Sequence, residues 1–153
     1  KMRVIVQRSK KSEVLVDNKV VGKIDSGLVL LVGFTHTDTL EDILYMVKKI
    51  VNLRIFDDVN HVMNKSILDI NGSILSISQF TLYGDTKKGN RPSYINAMKS
   101  EDAKKMYDEF NRLLSEHVNV STGIFQADMD LRISNDGPVT IILESGDKVV
   151  KER

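Results

Sequence analysis

The chain has 153 residues and 17.3 kDa, with 41% hydrophobic and 28% charged residues, a net charge of +1 and no cysteine. That length makes one domain, or at most a domain with a short appendage, and that balance excludes a disordered chain or a coiled coil. Without thiols there is no disulfide framework, thiolate nucleophile or Cys-ligated metal, and DNA is not an expected partner because dedicated DNA-binding domains are more basic.

Met2 to Arg8 is predicted as a strand from its β-branched content. Met2 reads as the natural start, with Lys1 an added residue ahead of it. No basic-then-apolar leader is visible. Ser12 to Val16 and Val20 to Gly22, joined by Asp17-Asn18-Lys19, predict a hairpin. Ser26-Gly27 turns into Leu28 to Phe34, whose continuous apolar run suits a strand buried on both faces. That run is far too short to cross a bilayer, so no membrane segment is expected. A helix follows, capped by Asp38 or Thr39 with Glu41 or Asp42 closing a capping box. Its buried stripe is predicted as Leu40, Ile43, Leu44, Val47, Ile50 and Val51.

Past a polar loop at 57–65, residues 67–70 read as extended and Asn71-Gly72 as a hairpin turn. Ser73 to Tyr83 then reads as one central strand, with Ser78, Phe80 and Leu82 on one face and Gln79, Thr81 and Tyr83 on the other. Residues 84–92 form a basic loop and 93–99 a helical segment. Ser100 is predicted to cap a second long helix with its stripe on Ala103, Met106, Tyr107, Phe110, Leu113 and Leu114. Strands are predicted at 118–121, 128–134 and 139–143, with Asn135-Asp136-Gly137-Pro138 interrupting them. The tail, 146–153, is expected to fray. Strands with two helices inserted predict a mixed α/β (α+β) single domain over 1–153.

Four segments carry possible chemistry. Ser78, Gln79, Phe80 and Thr81 make a polar strand end that can line a pocket; alternatively Thr81 is only a β-former and the serines bond backbone. Asn135 to Thr140 is turn chemistry, although an X–Pro bond can be cis and form a rigid steric gate. Gly84 to Pro92 begins like a phosphate loop but has Asn90 where that motif needs lysine, which excludes a nucleotide triphosphatase of that kind. Lys87, Lys88 and Arg91 can contact nucleic-acid phosphates or simply be solvated. Phe125 and Met129 can stack on a base or fill the core. The three histidines, His36, His61 and His117, form no metal-ligand spacing, and no cofactor is indicated. No nucleophile elbow is present.

Taken together, SQFTLYGD at 78–85 and NDGPVT at 135–140 resemble the paired SQxT and NxGPxT signatures of D-aminoacyl-tRNA deacylases. The resemblance extends to MRVIVQR at 2–8, VKKIVNLRIF at 47–56, KKGNRPS at 87–93 and GIFQADM at 123–129. It implies a cytoplasmic homodimer with a compact rolled mixed sheet and two main helices. It implies hydrolysis of the ester between tRNA and a D-amino acid, or glycine mischarged on tRNA-Ala. By the same resemblance, Gly137-Pro138 is a Gly-cisPro gate entering the partner subunit's pocket, with Asn135 and Thr140 in its motif and Arg8 as its brace. Ser78, Gln79, Phe80 and Thr81 would line that pocket, Phe125 and Met129 would flank the terminal adenosine, and Lys87, Lys88 and Arg91 would lie toward the tRNA stem. The absence of a general base fits a reaction in which the ribose 2′-OH helps deliver water and backbone N–H groups near Phe80 and Thr81 hold the oxyanion. The rival reading is a non-catalytic nucleic-acid or nucleotide-binding module on the same fold.

Overall fold

A computed structural model describes residues 1–147. Its elements are β1 (Arg3–Ser9), β2 (Ser12–Val16), β3 (Lys19–Ile24), β4 (Gly27–Gly33), α1 (Leu40–Asn52), β5 (Phe56–Asp57), β6 (Met63–Lys65), α2 (Ile67–Ile70), β7 (Ser73–Ser78), α3 (Ser100–Ser115), β8 (Asn119–Thr122), β9 (Asp130–Arg132) and β10 (Asn135–Glu144). Short 3-10 turns occupy Phe80–Tyr83 and Ser145–Asp147.

The main sheet has the order β10-β1-β4-β7-β8. β1 is antiparallel to β10 and β4, whereas β4, β7 and β8 run parallel. A smaller sheet, β3-β2-β9, curls over one face, so the mixed α/β domain of the sequence reading is present. β3 approaches β8 so closely that a Cβ on Gly22 would overlap the Thr122 carbonyl.

Strand β4 shows why the sheet is buried on both sides. Its alternate residues Leu28, Leu30 and Val32 join Ile43, Met46, Ile50, Phe110 and Leu114 of α1 and α3 in one core. Val29 joins Val14, Ile24, Leu75 and Ile77 in a second core beneath the small sheet. A fully buried aliphatic side chain stabilises by roughly 1.5–3 kcal/mol. That burial, rather than propensity, makes a 13-residue helix such as α1 stable.

The hairpin at 17–19 forms with Asp17 and Asn18 at positive φ, 50° and 64°, as a tight primed turn requires. Thr39 caps α1, its N–H donating to Asp42 Oδ2 at 2.8 Å. The stripe of α1 differs from the expected one. Met46 is buried within it, while Leu40 and Leu44 are 51% and 50% exposed. Leu44 lies about 100° round the helix from Ile43, off the face that meets the sheet. α3 begins at Ser100 with Lys99 at its cap, one residue from expectation.

Residues 67–70 are helical, not extended, because Ser66 and Asp69 form a reciprocal capping box. Asn71 closes that turn at φ 55°, so Asn71-Gly72 ends a helix instead of making a hairpin. The next strand, β7, consequently runs parallel to β4. Residues 93–99 are not helical. Met98 N–H donates to the Phe34 carbonyl at 3.0 Å, and Thr35 bridges Ala97. Asn135 to Pro138 does not interrupt the strands but belongs to β10, as a bowed stretch. Of the tail expected to fray, Gly146 sits in a 3-10 turn and residues 148–153 lie outside the described part.

Candidate active site

Beyond the carboxyl ends of the parallel strands β4 and β7 lies a cavity of about 610 Å³. Crevices at this end of parallel strands commonly take ligands. One wall is Ser78, Gln79 and Phe80; the facing wall is Phe125, Gln126 and Met129. Tyr94, Met98 and the first turn of α3 at Ser100 and Ala103 complete the rim.

The polar wall exists because β7 stops at Ser78. Gln79 N–H makes a last ladder bond to the Val32 carbonyl at 2.7 Å, and its own carbonyl accepts from Leu82 N–H at 3.2 Å. The chain thus turns into the Phe80–Tyr83 3-10 segment, and the strand expected through Tyr83 ends five residues early. The face assignment expected for 79–83 is lost with it. The leading N–H groups of such a turn have no acceptor within it. Phe80 is exposed and meets Tyr94 edge-on, centroids 5.0 Å apart. Thr81 is exposed, does not line the cavity, and accepts a hydrogen bond from the Gln79 side-chain amide.

Phe125 and Met129 each meet the cavity and a core at once. Phe125 lines the cavity and packs on the helical core; Met129 lines it and packs on the second core. The turn that aims them has Gln126 at φ 67° and Ala127 N–H on the Ile124 carbonyl at 3.1 Å. Gln126, Tyr94 and Met98 were missed by sequence reasoning. Tyr94 and Met98 fall in the segment read as helical, and Gln126 carried no signal beyond its place between Phe125 and Met129.

The Asn135–Thr140 motif is built separately. Gln7 pairs with Thr140 and Ser9 with Asn135, so Asp136 to Val139 bow out opposite Arg8. Asn135 staples the bow: its Oδ1 accepts from Val139 N–H at 3.2 Å and its Nδ2 donates to Thr140 Oγ1 at 3.0 Å. Arg8 holds the bow from below. Its guanidinium donates to the Asp136 carbonyl at 3.3 Å and the Ile55 carbonyl at 2.9 Å, and pairs with Asp57 at 3.5 Å. Gly137 has φ +124°, and the Gly137–Pro138 bond is cis. Both residues are exposed, and none of Asn135 to Thr140 lines the cavity of the same chain.

The basic loop is closed at its base by two Asp85–Ser93 backbone bonds, both 2.8 Å. Lys87, Lys88 and Arg91 are exposed on it and do not line the cavity. The histidines stand apart too; His36 Nε2 meets the Ile95 carbonyl at 2.6 Å and anchors the 94–98 segment. Among the described residues no cluster of three or more His, Asp or Glu is placed to hold a metal, and no helix is long and apolar enough to cross a membrane.

Curated proteins from Bacillus cytotoxicus and Clostridium novyi, each named D-aminoacyl-tRNA deacylase, are 55% and 54% identical to the chain over 145 residues. The alignments cover 94% of this chain and 99% and 97% of those relatives. A solved structure described as a c-Myc DNA Unwinding Element Binding Protein superposes with a TM-score of 0.88 at 38% identity, covering 93% of this chain and 97% of that one. Another, described as a probable eukaryotic D-amino acid tRNA deacylase, shares the fold with a TM-score of 0.80 at 19% identity, covering 94% and 98%. A family model described as D-Tyr-tRNA(Tyr) deacylase matches residues 5–144. With nearly the whole chain matched and both signature segments inside the match, the protein belongs to the D-Tyr-tRNA(Tyr) deacylase family.

Proposed function

We propose that the chain hydrolyses the ester of D-aminoacyl-tRNA in the cytoplasm, releasing the free D-amino acid and tRNA. The observation that carries this reading is a separation. Ser78, Gln79 and Phe80 share a cavity with Phe125 and Met129, while Gly137 and Pro138 of the same chain are exposed outside it. A rigid element built to project, beside a pocket that lacks it, supports a homodimer in which each subunit supplies the other's gate. β10 is an edge strand with Ile142 64% exposed, which suits cover by a second copy.

In this reading water attacks the ester carbonyl. The resulting oxyanion is held by the leading N–H groups of the Phe80–Tyr83 turn, the bond to the ribose 3′-oxygen breaks, and the neighbouring 2′-OH relays the proton. Phe125 and Met129 flank the adenosine, and Lys87, Lys88 and Arg91 reach the tRNA backbone. The gate excludes an L side chain by clash, which discriminates more strongly than a hydrophobic pocket, where one methylene is worth only about 1–3 kcal/mol. Glycine has nothing to clash, so glycyl-tRNA, including that mischarged on tRNA-Ala, is also cleared.

The test compares purified protein on D-tyrosyl-tRNA and L-tyrosyl-tRNA. Rapid loss of the D ester with the L ester spared is expected. Loss of both keeps the hydrolase and removes the gate. Loss of neither, with salt-dependent nucleic-acid binding retained, favours the binding-module reading, which the DNA-binding name of the 38% identical structure also suggests. A second expectation concerns Thr81. Its hydroxyl faces no base, only the Gln79 amide, and is therefore a poor nucleophile. Thr81→Val should retain single-turnover hydrolysis within about tenfold; abolished turnover with normal tRNA binding would give Thr81 a chemical role.

A further inference from the structure

We infer that Tyr107 is a positioning residue for this cavity: its hydroxyl fixes the end of β7 and its ring fixes Phe125. The inference rests on the deacylase reading above.

Strand β7 is held on both sides only part of the way. On one side it pairs with β4 as far as Val32↔Ser78. On the other, β8 leaves it after Ser76↔Thr122. From Ile77 onward β7 has a single neighbour, and the departing chain passes through Gly123 to Phe125. The cavity opens inside this fork, between Ser78–Phe80 and Phe125–Met129.

Tyr107 sits at the apex. It reaches from α3, is 4% exposed and does not line the cavity. Its hydroxyl donates to the Ser76 carbonyl at 2.7 Å, at the residue where the two-sided ladder ends. Its ring lies 6.0 Å from that of Phe125, centroid to centroid. One side chain therefore touches both prongs. Burial pushes the phenol's pKa up, so it stays a proton donor throughout the working range. Small shifts of a supporting group are costly where a few backbone N–H groups must meet a developing charge.

The two parts of the side chain should separate experimentally. Tyr107→Phe keeps the ring and removes the hydroxyl; Tyr107→Leu removes both. For Tyr107→Phe on D-tyrosyl-tRNA, kcat should fall about tenfold with KM within about twofold, and the melting temperature should drop by only roughly 2–4 °C. In amide spectra of the free protein, the Gln79, Phe80 and Thr81 signals should move along with Ser76. Tyr107→Leu should additionally raise KM, because the Phe125 side loses its support. Tyr107→Phe with wild-type kcat and unmoved amides at 79–81 would reduce Tyr107 to a core residue and overturn the inference. If the wild-type protein leaves the D ester intact, the deacylase reading fails by itself. The amide shifts then decide the positioning role alone: movement at 79–81 supports it and silence there overturns it.

Discussion

Gly137→Ala is expected to leave a folded protein whose preference for the D ester collapses. At φ +124° an L residue is strained, and a Cβ on Gly137 would stand 2.8 Å from Val139 Cγ2 and 3.1 Å from Arg8 Nη2. Neither neighbour can yield freely. Val139 N–H is tied to Asn135, and Arg8 is committed to Asp136, Ile55 and Asp57. The bowed stretch must therefore re-route, which moves the gate proposed to enter the partner subunit's pocket. A displacement of about 1 Å in a positioning element can cost about 100-fold in rate, or roughly 2.7 kcal/mol. Hydrolysis of D-tyrosyl-tRNA should fall by that order, and the D-to-L ratio of kcat/KM should fall with it. Because this exposed stretch can re-route, the strain costs only about 1–2 kcal/mol, and the melting temperature should drop by roughly 2–8 °C. An unchanged ratio would remove this segment from chiral selection.

The largest stability effect is expected at Gly27→Ala. Gly27 opens β4 at φ +141°, against the first residue of β7. A Cβ there would lie 2.7 Å from the Ser73 backbone nitrogen and overlap the Ser73 carbonyl oxygen. Ser73 cannot retreat, because its N–H donates to the Ser26 carbonyl at 3.0 Å and its strand is packed between both cores. Backbone strain and overpacking together cost about 4 kcal/mol, or roughly 8–16 °C in melting temperature for a domain of this size. Differential scanning calorimetry would measure it. A drop under roughly 3 °C would show that the β4–β7 junction can open at little cost.

Two kinds of information decided what could be read from the residues. Local patterns sufficed for the first hairpin, for β4 and for the stripe of α3, whose Tyr107, Phe110 and Leu114 are all buried. The order of the two signature segments was legible for the same reason, because a motif travels with its own residues. The turn at Gln79 was not legible. Phe80 to Tyr83 has the composition of a strand, and what turns the chain after the last ladder bond to Val32 is the 3-10 bond from Leu82 N–H to the Gln79 carbonyl, which composition does not announce. The 94–98 rim failed likewise. Its turn, closed by Ala97 N–H on the Tyr94 carbonyl, is held by Thr35, His36 and Phe34, which no local periodicity in 93–99 announces. Leu40 and Leu44 misled in the opposite sense, since helical spacing alone does not say how far the sheet reaches along α1. Tyr107 was read as core, and its second contact, on Ser76, depended on a strand whose neighbours were still unknown.

The pairing of β1 with β10 brings Arg3 opposite Glu144 and Arg8 beneath Asp136, contacts that span almost the entire described chain. The cavity walls, by contrast, are drawn from residues 32 to 131. A domain of this size folds as a unit, and Val139, Ile141 and Leu143 of β10 pack on the same helical core as the pocket floor, so the two ends of the described chain must meet before that core is complete. β10, the last strand among the described residues, both seals the free edge of β1 and carries the segment proposed as the gate. Chains cut short before β10 would lose part of that core together with the part proposed to read handedness.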